Sequence, residues 1–198
     1  MFRRLRRFKI FLIFVIIVAG GYTLGRFLLG PGSVPEGFIQ ARLQGALIAQ
    51  NIVNLSNQSA LDLNEVGELD RNKNFVEALN LTTELIKKSQ EIRDQAVLLS
   101  SEIEKMTKAL SEIDSFEARQ AALEAIANRL ALISRLINYS GYLGQLLDVL
   151  RGRFTGIYAP SYEVQNLITQ INSEVRAINN FNTQAGRAME RFDEIVGK

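Results

Sequence analysis

Apolar residues are distributed along this chain in two ways. From Ile10 to Ala19 they run without a break, and no charged residue occurs between Ile10 and Gly25. From Phe38 onward they recur at steps of three and four, with polar residues between them. The first pattern is a helix that is apolar on every side; the second is a set of helices that each bury one face.

The uncharged stretch covers sixteen positions, roughly 24 Å of helix at about 1.5 Å per residue. A hydrocarbon core of about 30 Å is somewhat longer. Snorkelling by Lys9 and Arg26, and the apolar Phe27-Leu28-Leu29, make up the difference. Arg3, Arg4, Arg6, Arg7 and Lys9 stand ahead of the run, and no acid occurs before Glu36. A basic cluster on that side stays in the cytoplasm, so the rest of the chain is expected outside it. This divides the N-terminal part into a cytoplasmic basic segment (1–9), a transmembrane signal anchor (10–29) and a linker (30–33). The alternative is a signal peptide cleaved near Gly21, after the small residues Ala19-Gly20-Gly21, which would release a secreted protein.

The spaced pattern predicts four helices. Ser33-Val34-Pro35-Glu36 reads as a capping box opening a helix over 34–66, followed by a polar turn at Gly67–Lys73. A second helix over 73–113 carries the cleanest stripe: Phe75, Ala78, Thr82, Leu85, Ser89, Ile92, Ala96, Leu99, Ile103, Met106, Leu110 and Ile113. Those alternating steps are the signature of a coiled-coil or bundle seam. Asp114 as a cap, with Glu117 three residues later, marks a hairpin, although without Gly or Pro there a continuous long helix is the alternative.

The third helix, 116–154, is expected to bury Phe116, Leu123, Ile126, Leu130, Ile133 and Ile137, then a second stripe of Leu132, Leu136, Tyr139, Leu143, Leu146 and Leu150. A fourth, 161–196, presents Val164, Ile168, Ile171, Val175, Ile178, Ala185, Met189, Phe192 and Val196. The resulting fold class is all-α: one transmembrane helix, then an up-down-up-down antiparallel four-helix bundle over 34–198 with coiled-coil-like packing.

Charge changes meaning once the chain is divided. The net +2 and the pI near 9.0 arise at the membrane end. Six of the 23 basic residues and none of the 21 acidic ones fall in 1–30, which leaves about −4 beyond it. A nucleic-acid partner therefore loses its electrostatic basis. The chain holds no Cys and no His, which removes thiolate nucleophiles, imidazole bases, the usual zinc ligands and disulfide bracing. No Gly-rich phosphate loop or nucleophile-elbow motif occurs either. No cofactor or metal is expected, and the chain is not read as an enzyme.

Two groups of residues remain as candidates. At the expected distal tip, Arg151, Arg153, Phe154, Tyr158 and Tyr162 combine the residue types that dominate protein contacts, beside the plainer reading of a loop that caps the core. Midway along the bundle, Gln50, Ser89 and Tyr139, with Asn138, Ser140 and Asn179 at similar heights, form a polar layer suited to a small ligand or to fixing helix register.

The function these observations support is a single-pass, membrane-anchored extracytoplasmic bundle with a structural or protein-interaction role. It would be held to lipid by its N-terminal helix and would meet a protein partner or a second copy. The alternative is a ligand-binding sensory bundle that signals through an associated membrane protein.

Overall fold

The computed structural model describes residues 34–156 and 161–197. The predicted anchor, the Ser33 cap and Tyr158 lie outside these residues. Four long helices make up the described part: α1 (Glu36–Arg71), α2 (Phe75–Ala109), α3 (Phe116–Phe154) and α4 (Ser161–Val196). At 35–39 residues for the first three and 36 for α4, each extends about 50–60 Å. Among the described residues no helix is long and apolar enough to cross a membrane.

Local chemistry sets the ends. Ser115, in extended backbone, accepts from the Ala118 amide at 3.2 Å and caps α3. The cap is thus one residue beyond the expected Asp114, because Ser115 takes the extended backbone that lets its side chain accept from the first turn. A single 3-10 turn at Leu110–Glu112 precedes it and breaks the chain into a hairpin. Gly156, at φ +85°, ends the described chain after α3 in a conformation that favours glycine.

The expected turn at Gly67–Lys73 is helical through Arg71, and the reversal is confined to Asn72–Asn74. Val66 and Gly67 are buried there, and Asp70 is held by Arg153 of α3 at 3.1 Å. Tertiary contact thus carries the helix past a glycine that would weaken it in isolation. Lys73 takes the left-handed position, at φ 58°.

Consecutive helices pack against each other in antiparallel pairs. Asp62 of α1 meets Lys88 of α2 at 2.5 Å, and Glu124 of α3 meets Arg191 of α4 at 2.5 Å. A Cβ at Gly45 would sit 3.5 Å from Leu99 Cδ1, so α1 and α2 approach closely there. The pair α1 and α4 lacks the repeated close backbone approaches of the other pairs. It closes at the base through Phe38 on Phe192, with ring centroids 5.2 Å apart, and through Arg42 on Asp193.

The core is a long column of Leu85, Ile92, Ile103, Met106, Leu143, Leu147 and Ile171, capped at the base by Phe38, Ile113 and Phe192; each of these is at most 2 % exposed. Burying a side chain of this size contributes about 1.5–3 kcal/mol, and this column holds the bundle together without disulfides.

The α2 stripe packs inward as its spacing predicted, except for Phe75, which is exposed. On α3 the two expected stripes separate. Leu136, Tyr139, Leu143 and Leu146 are buried, as are Ile126 and Ile133, while Phe116, Leu123 and Leu130 are 71 %, 53 % and 48 % exposed. The buried positions near the start of α3 are instead Ala118, Ala121, Ala122 and Ala125. The aromatic and long side chains of the other elements fill the base, so α3 can approach only with alanines.

Candidate functional site

The distal end joins residues of three helices. Phe154 stacks on Phe75 with centroids 6.2 Å apart, and Arg153 is tied to Asp70, whose side chain is 7 % exposed. Arg151 bonds Asp148 on its own helix at 2.8 Å. Two of the tip residues are therefore engaged in closing the bundle. Arg151 and Tyr162 are exposed to solvent, and Tyr158 lies outside the described residues.

The polar layer is only partly assembled. Ser89 and Ser140 are buried, and each donates its hydroxyl back to its own helix, to the carbonyls of Ile86 and Ile137. Such bonds are made within one turn and satisfy the hydroxyl without a ligand. Ser89 lies against Gly144 across the α2–α3 seam. Tyr139 is 3 % exposed, and burial pushes its phenol up to about 12. Gln50 does not join the layer: it faces solvent and donates to Asn54 at 3.2 Å. Asn138 is exposed. The buried Oδ1 atoms of Asn57 on α1 and Asn179 on α4 have no hydrogen-bond partner among the described residues.

The base holds a charge cluster that hydrophobic periodicity does not reveal. Arg42 donates two bonds to Asp193, at 2.6 and 2.8 Å, in the fork geometry of a bidentate pair. Arg129 of α3 lies close by. Its position follows Ala122 and Ala125 and precedes Ile133, so it occupies a core step of the helix. Its Nε is buried without an acceptor among the described residues. Loss of water, reinforced by the positive charge of Arg42, draws the guanidinium down to about 10. Two arginines thus lie close together, and among the described residues only Arg42 has a carboxylate partner. The signal in the sequence was a lone arginine in the phase of the alanine stripe, a position where charge is unusual.

None of these groups forms a nucleophile–base pair among the described residues. Among the described residues no group of three or more acidic side chains could hold a metal ion. Comparison with known proteins finds no matching family model, no matching curated protein and no matching solved structure.

Proposed function

We propose that the chain is a membrane-anchored bundle, presented outside the cytoplasm, whose role is structural or protein-interacting. The observation that carries this reading is the order of its parts: five cations, an unbroken apolar run, then amphipathic helices that share one core. The cations orient the span and the span fixes the base of the bundle at the bilayer, so the exposed distal residues Arg151 and Tyr162 face outward toward partners.

The test is fractionation of cells that express the full chain with a C-terminal tag. The tag should stay in the membrane pellet after alkaline extraction and be cleaved by protease added from outside. A soluble tag, or one protected in intact cells, would overturn the anchor or its direction. Contact through the tip is tested by Arg151→Ala with Tyr162→Ala, which should reduce crosslinking to a partner without changing membrane retention.

The unpartnered buried amide oxygens of Asn57 and Asn179 favour a second reading, a sensory bundle that accepts a small polar ligand. It requires a small-molecule thermal shift that disappears in Asn179→Leu.

A further inference from the structure

α3 carries a second seam on its outer side. Phe116, Leu123, Leu130 and Ile137 recur at seven-residue intervals, and Gln120, Ala127, Ser134 and Gly141 fall between them at the same interval. Apart from Ile137, which is partly buried, these eight positions are exposed. Large and small residues alternate by threes and fours, which is the heptad spacing of a helix that packs against another helix. No charge falls within this set. The two charged side chains of mid-α3 that are exposed, Glu124 and Arg135, turn instead to Arg191 and Glu174 of α4. The outer face of α2, by contrast, carries Glu84, Lys87, Glu91 and Asp94.

We propose that a second copy of this chain packs on this seam, with the two α3 helices parallel and in register. The proposal rests on the membrane-anchored reading above, since chains leaving one bilayer point the same way. Charge agrees with that orientation. Arg119 has no carboxylate partner among the described residues, and in a parallel heptad pair it stands beside the residue five positions on in the other helix, Glu124. Arg191 holds Oε2 of Glu124, leaving Oε1 for Arg119 of the second copy.

Size agrees as well. A strip from Phe116 to Gly141 is about 39 Å long and about 10 Å wide, on the order of 400 Å² per copy, or half of what a stable soluble complex buries. Such a contact suits a partner that arrives oriented and concentrated. A copy tethered in the same membrane meets both conditions, at an effective concentration in the millimolar range.

The chain has no cysteine, so single substitutions give a clean crosslinking test in isolated membranes. Leu123→Cys and Leu130→Cys should each form disulfide dimers at least fivefold more than Glu84→Cys on the charged face of α2. Adding Leu123→Asp to Leu130→Cys should bring the yield down to that control, with circular dichroism unchanged. Yields equal to the control throughout would overturn the proposal. So would crosslinking of Leu123→Cys chains to Ser134→Cys chains without self-crosslinking at Leu123, the outcome of an antiparallel pair. Membrane retention is read from the same preparation. A retained chain with control-level crosslinking ends the dimer and leaves the anchor standing. A chain found outside the membrane ends the anchor, and the seam is then judged by the same crosslinks on purified full-length protein.

Discussion

α2 and α3 lie side by side, differ by four residues in length, and contribute to one core, yet their surfaces follow different rules. α2 has one apolar stripe and a charged outer face, where Lys108 holds the Glu104 carboxyl below its ordinary range. α3 has two apolar stripes, one buried and one facing solvent. A helix with one stripe has only one way to turn toward a core. A helix with two can satisfy the hydrophobic effect in either orientation, and its neighbours make the choice.

The sharpest way to break this comparison is to truncate one residue from each kind of stripe. Ile103→Ala in the α2 seam, where the side chain is wholly buried, should cost about 2–5 kcal/mol, read as a shift of the urea midpoint. Next comes the base of the bundle. Asp193→Asn removes the carboxylate that pairs with Arg42 and should destabilise by about 1–3 kcal/mol, since the partly buried Arg42 is left beside a second cation, Arg129. Arg129→Met should act in the opposite direction and stabilise by roughly 1–2 kcal/mol, because a fitted apolar chain replaces an unpaired guanidinium. A loss of stability there would mean that Arg129 has an acceptor in solution.

Tyr139 supplies a smaller, pH-dependent effect on the buried side of α3. Its folded pKa, about 12, lies above the ordinary 10.0. Between these values the unfolded chain gives up the phenol proton while the folded chain keeps it, so stability falls as pH rises. The wild type should therefore lose stability relative to Tyr139→Phe from about pH 10 upward, and the two should run parallel below that, as urea titrations at fixed pH would show. The smallest effect belongs to the outer stripe. Leu130→Ser should change the stability of the bundle by less than about 0.5 kcal/mol, and a cost near that of Ile103→Ala would mean that this stripe is core after all.

Much of the fold was legible without coordinates. Twelve positions in one phase fixed α2 as a helix, and the absence of any strand pattern made the protein all-α. In α4 the expected positions Val164, Ile171, Val175, Ala185, Met189 and Phe192 are all buried. The candidate sites were less legible. Nothing in the spacing of Arg153 and Phe154 shows that they are occupied by Asp70 and Phe75, about eighty residues earlier in the chain. Gln50 shared a height with Ser89 but not a direction, since position along a helix does not specify rotation about it.

By itself the sequence determined what depends on neighbours in the chain: four amphipathic helices, their hairpin order, and a composition free of thiol and imidazole chemistry. Tertiary structure decided what depends on volume and on distant charge. It turned Ala118, Ala121, Ala122 and Ala125 inward and Leu123 and Leu130 outward, because the base was already filled by Phe38, Met106, Ile113 and Phe192. It also joined Arg42 to Asp193 and brought Arg129 close to Arg42. Periodicity reports that a face is apolar, whereas close packing decides which apolar face is covered.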